Sequence, residues 1–196
     1  MAGALSWTVA EYALHRFAMH AMRGRGLASR EHLLHHADVT YFAPASKKIL
    51  SAATTAAVAW PSVAIAADRR VATAFTAGMI STYFGYEVAH RRIHTHPPVN
   101  RYGRWARRHH LSHHFGAPMR NFGVTSAAWD RVMGTSDDRD VLKVPRRMAP
   151  AWMVDDHGVV LPDYRPDYVV STGGVDDPGL SRRDRSDAFA NIAPHT

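Results

Sequence analysis

Two long runs of apolar and small residues dominate the pattern of hydrophobic and polar positions along the chain. Residues 49–67 and 71–86 contain no charged side chain, and the charged residues 68–70 separate them. Each run approaches the roughly 20 residues that a helix needs to cross a bilayer. Their many small side chains favour close helix packing. The pattern predicts two antiparallel membrane helices, and a buried helical hairpin in a soluble bundle is the alternative.

The segments around these runs also have helical patterns. Residues 4–22 are rich in helix-forming side chains and lead into the flexible sequence RGRG at 23–26. Ser29 is the expected N-cap of a short helix that follows. The helix that contains residues 87–94 is expected to end at Pro97 and Pro98, and a basic helix follows it.

The predicted fold class is therefore all-α: a membrane-embedded helical hairpin with a cytoplasmic histidine-rich helical cap. Residues 1–135 form the main domain, with a loop and a short amphipathic helix over 121–135. From residue 136 the sequence becomes polar and rich in proline and glycine. We expect an ordered arm over 136–170 and a disordered tail over 171–196.

Basic side chains support the membrane interpretation. Lys47 and Lys48 precede the first run, and six arginines between residues 91 and 108 follow the second. Cytoplasmic flanks of membrane helices carry such positive charge, although Arg69 and Arg70 oppose this orientation. The formal net charge of +7 also suits nucleic acid. Arginines beside apolar spans favour lipid headgroups instead, so no nucleic-acid partner is expected.

Histidines recur in four groups on the segments that flank the apolar runs. The chain has 14 histidines and no cysteine, so a metal site must use nitrogen and oxygen ligands. Spacings of three and four residues place imidazoles on one helix face. Their number indicates two metals, or one metal with surplus ligands, and leaves zinc, iron, copper and nickel open. The groups are His15 and His20; His32, His35 and His36; His90, His94 and His96; and His109, His110, His113 and His114.

Several other enzyme signatures are absent from the sequence. The nearest string to the zinc-protease motif H-E-x-x-H runs from Glu31 to His35, and its glutamate is on the wrong side. The sequence also lacks G-x-S-x-G, a Walker A motif and G-x-G-x-x-G. The histidines therefore carry the strongest chemical signal in the chain.

The arrangement of these groups resembles that of the fatty acid hydroxylase/sterol desaturase superfamily. The resemblance rests on HRFAMH at 15–20, HLLHH at 32–36, HRRIH at 90–94, HLSHH at 110–114 and the following NFGVTSAAWDRVMGT. It implies an integral membrane enzyme with two iron ions, which zinc can replace in a structure. It also implies O2, an external electron donor on a separate redox partner, and a lipid substrate whose C–H bond is hydroxylated. The metal ligands that it implies are His15, His20, His32, His35, His36, His90, His94, His110, His113 and His114.

The resemblance leaves several alternatives open. His96 and His109 are additional candidates near the site, and Glu11 and Glu87 are candidate acceptors for the second ring nitrogens of ligands. The substrate could be a fatty acyl chain, a sterol-like lipid or a carotenoid, and desaturation could replace hydroxylation. Carotenoid hydroxylases usually have H-x-x-x-x-H as their third motif, whereas residues 90–94 have H-x-x-x-H.

A non-catalytic metal-binding membrane protein from a truncated paralogue is the alternative from another functional class. Family members usually have further membrane helices upstream of the first histidine motif. This chain is therefore expected to be a compact version or to have a truncated N-terminus. The oligomeric state is open.

Overall fold

The computed structural model describes residues 1–171 and is mostly helical. Helices make up most of residues 2–132, and two short strands and two 3-10 helices, Arg146–Met148 and Pro162–Tyr164, follow. The helices are α1 (Ala2–Ala13), α2 (Leu27–Ala37), α3 (Ala45–Ala66), α4 (Arg69–Thr95), α5 (Arg101–Phe115) and α6 (Ala128–Val132). The predicted tail over 171–196 lies outside the described residues, except for Ser171.

Helix α1 continues into a π-helical segment, Leu14–Ala21. The wider winding of a π-helix pairs each residue with the one five positions away. His15 and His20 are five residues apart, so this winding places both on the same face, which an α-helix does not do. The predicted helix over 4–22 is therefore present, but its second half has a different geometry.

The turn after this segment has left-handed backbone conformations at Arg23, Gly24 and Gly26, with φ of 49°, 82° and 85°. The prediction that RGRG ends the helix is confirmed. Ser29 as an N-cap is wrong, because α2 already begins at Leu27. The Ser29 hydroxyl instead donates to the Met19 carbonyl at 2.6 Å and accepts from Gly24 N–H at 2.8 Å. It ties the turn to the π-helical segment.

Helices α3 and α4 are antiparallel neighbours joined at Asp68, whose carboxylate accepts from the first backbone N–H groups of α4. Trp60 donates to Thr73 near this turn, and Lys48 pairs with Glu87 at the far end. Within residues 1–171, α3 alone is long and apolar enough to cross a membrane. The second predicted span, over 71–86, lies inside α4 and is not confirmed, because hydroxyl and charged side chains make α4 less apolar.

Helix α1 packs closely on α4. A Cβ atom on Gly3 would lie 2.0 Å from the carbonyl oxygen of Phe75, so only glycine permits this approach. One turn further, the Trp7 ring contacts Tyr83 and Tyr86 at centroid distances of 5.2 and 5.5 Å. These contacts hold α1, which leads into the histidine motif at 15–20, against α4, which carries the motif at 90–94.

The predicted break at Pro97 and Pro98 is present, because α4 ends at Thr95 and α5 begins at Arg101. Arg107 of α5 is buried and donates to the carbonyls of Arg92, His96 and Pro97. The carbonyls of His96 and Pro97 lie just after α4, and that of Arg92, in its last turn, also accepts from His96 N–H. Arg107 therefore joins the end of α4 to α5.

The segment after residue 135 corrects the all-α prediction. It contains two parallel strands, β1 (Leu142–Pro145) and β2 (Tyr168–Ser171), with Leu142 opposite Tyr168. In this segment, Leu142, Val144 and Tyr168 form a core with Leu111 and Phe115 of α5. Each strand has only four residues, which is too short for a clear alternating pattern.

We predict that Gly3→Ala destabilises the protein, because its methyl group forces α1 away from α4. The expected loss in the free energy of unfolding is about 1–3 kcal/mol, typical of overpacking. Gly85→Ala on α4 is the control, since its Cβ would meet no atom of residues 1–171 within 4 Å. Thermal unfolding in detergent measures both variants. Equal melting temperatures for the two would contradict the close contact.

Arg107→Met is expected to lower the free energy of unfolding by about 2–3 kcal/mol, because it removes the charged hydrogen bonds of a buried guanidinium to the carbonyls at the end of α4. Arg101→Met, at the exposed start of the same helix, is the matched control and should change stability by less than about 0.5 kcal/mol. Denaturant unfolding in detergent measures both. A similar effect of the two substitutions would disprove this role of Arg107.

Candidate metal centre

The ten histidines predicted as ligands are all buried and lie in two groups of five. We name the first group cluster A. It gathers side chains from the π-helical segment, α2 and α5, with their candidate ligand atoms all within 4.8 Å of one another. Its members are His15, His20, His32, His36 and His113.

The second group, cluster B, takes one residue from α2 and two each from α4 and α5. Its ring Nε2 atoms are also close, at 3.2 Å between His35 and His94 and 3.0 Å between His94 and His110. Its members are His35, His90, His94, His110 and His114. Each cluster thus combines residues from before α3 with residues from α4 or α5.

Helix geometry explains how three residues of α2 divide between the clusters. His32 and His36 are four residues apart and enter cluster A, whereas His35 enters cluster B. On α5, His110 and His114 have the same spacing and enter cluster B, and His113 enters cluster A. Each H-x-x-H-H motif therefore serves both clusters. The clusters lie side by side, since the rings of His36 and His114 stack at 4.1 Å.

Backbone carbonyls determine which ring nitrogen carries the proton in three of these histidines. Nδ1 of His15 contacts the Phe122 carbonyl, Nδ1 of His113 contacts the Arg120 carbonyl at 2.7 Å, and Nδ1 of His35 contacts the Tyr41 carbonyl at 2.8 Å. A carbonyl only accepts, so each Nδ1 must donate. In a neutral ring, Nε2 then has a lone pair directed into its cluster.

Hydrogen bonds alone do not satisfy the nitrogens of cluster A. Its Nε2 atoms make five contacts of 2.8–3.0 Å. At most three of the five nitrogens can carry a proton, because those of His15 and His113 do not. Each proton can serve one contact, so at least two of the five contacts place two lone pairs or two N–H groups against each other. A cation bound by five unprotonated nitrogens would remove this conflict.

The spacing of the nitrogens also fits a metal ion. Two imidazoles bound at about 2.1 Å and at right angles have nitrogens about 3 Å apart. The contacts in the two clusters are 2.8–3.2 Å. Neutral imidazole nitrogens suit zinc, iron, copper and nickel. The donor set thus fits a pair of transition-metal ions.

Burial keeps these imidazoles neutral. It lowers the pKa of His15 and of His35 from 6.5 to about 4, although their carbonyl partners act in the opposite direction. Burial also lowers the pKa of His32 and of His113 well below the ordinary value. A metal ligand must be unprotonated, so the site is ready to bind a cation near neutral pH.

His96 and His109 lie outside both clusters. His96 is exposed, and its ring contacts the Thr95 hydroxyl. His109 is buried, stacks on Trp105 and contacts the Asp130 carboxylate at 3.3 Å. Neither side chain is directed toward the convergent nitrogens.

The predicted role of Glu11 and Glu87 as acceptors for ligand rings is wrong. Glu11 accepts from the backbone N–H groups of Val124 and Thr125 and from the Thr125 hydroxyl. Glu87 pairs with Lys48 at 2.6 Å. Backbone carbonyls take the predicted role, and the sequence contains no side-chain signal for them.

Asp130 orders the segment behind the last histidine motif. Its buried carboxylate accepts from the N–H groups of Phe122 and Gly123 at 2.8 Å each and from the Thr135 hydroxyl at 2.8 Å. Asn121 does not join a cluster. Its side chain exchanges hydrogen bonds with the backbone of Asp137.

A cavity of about 380 Å³ opens beside the two clusters. His32 of cluster A and His35 and His90 of cluster B form part of its wall. Two ion pairs, Lys47–Glu31 and Lys48–Glu87, also line it, each at 2.6 Å. Much of the remaining wall is apolar or aromatic and includes Trp7, Leu14, Met19, Phe42, Leu50 and Tyr86.

Similar proteins are lipid hydroxylases. A dihydroceramide fatty acyl 2-hydroxylase of Arabidopsis thaliana is 29% identical over 68% of this chain and 58% of its own length. A ceramide very long chain fatty acid hydroxylase of Schizosaccharomyces pombe is 28% identical over 68% of this chain and 40% of its own length. The chain thus spans less than two thirds of the length of either relative.

A solved structure of full-length Scs7p, with only the hydroxylase domain visible, is also similar. It is 28% identical, has a TM-score of 0.58, and the match covers 69% of this chain and 54% of that one. The sequence model of the fatty acid hydroxylase family matches residues 1–135, the part that holds both histidine clusters. The chain belongs to the fatty acid hydroxylase family.

Proposed function

We propose that this protein is an O2-dependent di-iron monooxygenase that hydroxylates the acyl chain of an N-acylated membrane lipid. The observation that carries the proposal is the position of two adjacent five-histidine clusters at the wall of one apolar cavity. Metal ions bound by the clusters would therefore lie next to a hydrocarbon chain bound in the cavity.

The ten clustered histidines would hold two iron ions, one in each cluster. When bound, the ions supply the redox chemistry that activates O2 with two electrons from a separate redox partner. One oxygen atom enters the C–H bond, and the other leaves as water with two protons. The chain itself fixes the imidazoles through backbone carbonyls and surrounds them with buried side chains.

The cavity supports a lipid substrate with an uncharged polar head. Its apolar wall suits an acyl chain, and its volume lies in the ordinary range for small-molecule sites. Lys47 and Lys48 are already neutralised by Glu31 and Glu87. An amide or hydroxyl head therefore suits these polar groups better than a free carboxylate. The named activity of the Arabidopsis relative directs the proposal to the 2-position of a dihydroceramide-like acyl chain.

Exposed apolar side chains support an integral membrane location. They cover α1 and α3, where Leu5, Ile49, Val58 and Ile65 are 60–87% exposed. We propose that α3 and α4 form a membrane-embedded hairpin, and that the histidine-rich cap lies on the cytoplasmic side. Lys47, Lys48 and the arginines of α5 lie at the cap end, as the positive-inside rule expects.

Metal content tests the ligand assignment. Iron-loaded protein should contain two ions per chain, and the double substitutions His32→Ala/His36→Ala and His94→Ala/His114→Ala should each leave about one. His96→Ala is the control that should retain both ions. Elemental analysis of detergent-solubilised protein measures each variant. Loss of both ions in each double variant would indicate one shared site and contradict two separate ones.

Product analysis tests the activity. Cells that express the wild type in an 18O2 atmosphere should accumulate 2-hydroxylated N-acyl lipids with one labelled oxygen atom. His113→Ala should abolish the product, because His113 is a proposed ligand, whereas His96→Ala should retain it. Lipid extraction and mass spectrometry provide the measurement. A wild type that holds two ions but forms no hydroxylated lipid would favour a non-catalytic metal-binding protein.

A further inference from the structure

We propose that Asp130 is a positioning residue for cluster A, acting through the backbone loop 120–125. This inference rests on the proposed function, since it requires that cluster A holds a metal ion. It assigns a purpose to a buried carboxylate that contacts none of the ten clustered histidines.

The loop 120–125 supplies two carbonyls to one cluster. The Arg120 carbonyl accepts from His113, and the Phe122 carbonyl accepts from His15. Both histidines belong to cluster A. A ligand ring held by its second nitrogen has a fixed tautomer and a fixed orientation. The positions of these two carbonyls therefore determine how two of the five imidazoles face the metal.

Regular secondary structure does not hold this loop, because it lies between α5 and α6. Asn121 has a left-handed conformation with φ of 55°, which is uncommon for a residue other than glycine. A Cβ atom on Gly123 would lie 2.0 Å from the Ser126 carbonyl oxygen, so the loop is also tightly folded on itself. Such a conformation needs contacts from outside the loop.

Asp130 provides those contacts at the critical residue. Its two carboxylate oxygens accept separately from the N–H groups of Phe122 and Gly123. The peptide unit that joins Phe122 to Gly123 thus donates its N–H to Asp130 and holds His15 with its carbonyl. A continuous path of hydrogen bonds leads from Asp130 through Phe122 to His15 in cluster A.

The carboxylate is itself held in place. Asp130 is fully buried, and the Thr135 hydroxyl and the His109 ring complete its set of donors. His109 therefore supports the loop rather than binding metal, which explains why a buried histidine in this motif lies outside both clusters.

Cluster B does not share this support. Its carbonyl contact comes from Tyr41, which follows α2 and lies far from the loop in sequence. A change at Asp130 should thus affect one of the two metals. A general loss of stability would instead affect both, and this difference separates positioning from a merely structural role.

The test compares Asp130→Asn with Asp167→Asn. The asparagine at 130 has one oxygen and one NH2 group, so one of the two loop N–H groups loses its acceptor. Asp167 is also buried, but it pairs with Arg104 and Arg108 on another side of α5. The measurements are metal content and the rates at which a chelator removes the two ions from the detergent-solubilised, iron-loaded protein.

In Asp130→Asn, the release of one ion should become about 10–100-fold faster, the range expected for losing such support, or one ion should be absent. The other ion should be released at the wild-type rate. Asp167→Asn should release both ions as the wild type does. Unchanged rates in Asp130→Asn, or equal acceleration of both, would overturn the inference.

Thr135→Val provides a milder variant if Asp130→Asn does not fold. It removes one donor to the carboxylate and should accelerate the release of the same single ion, and unchanged rates would overturn the inference. If the wild type holds two ions and Asp130→Asn releases both at the wild-type rates, the inference is refuted and the proposed function is not. A folded wild type that binds fewer than two ions refutes the proposed function, and the inference with it.

Discussion

The close approach of unprotonated imidazole nitrogens is the constraint on which the rest of this structure depends. In cluster A, five Nε2 atoms lie 2.8–3.0 Å from their neighbours. Two of them are unprotonated, because Nδ1 of the same ring donates to a backbone carbonyl. Without a cation, such a group would repel itself in a site that excludes water. Much of the surrounding structure can be understood as the means of holding these nitrogens together.

Four features of the chain accomplish this. The π-helical segment brings His15 and His20 to one face, and the two H-x-x-H-H motifs divide their members between the clusters. The close contact at Gly3 and the hydrogen bonds of Arg107 fix α1 and α5 to α4. The clusters therefore combine residues from four separate segments, which explains why the site depends on the whole helical assembly.

The histidine-rich segments could be predicted because spacing on a helix depends on local sequence alone. The same holds for the break at Pro97 and Pro98 and for the turn at 23–26. All ten predicted histidines lie in the two clusters, and their role as metal ligands stays a prediction. The family could also be predicted, since the residues of its motifs appear in the sequence itself.

Other features could not be predicted, because they depend on tertiary contacts. The π-helical winding has no distinct side-chain pattern, and the carbonyls of Phe122 and Arg120 belong to the backbone. Glu11 is a candidate acceptor for a ligand ring by sequence, but the fold brings the N–H groups of Val124 and Thr125 to its carboxylate instead. The strands β1 and β2 pack on buried residues of α5, Leu111 and Phe115, which are distant from them in sequence.

The central claim is that clusters A and B each bind one iron ion. Anomalous X-ray diffraction at the iron edge, on crystals of protein purified with iron, tests it most directly. The account predicts two anomalous peaks, one among the Nε2 atoms of His15, His32 and His113, and one among those of His35, His94 and His110. A single peak shared by both clusters, or peaks only outside them, would contradict the account.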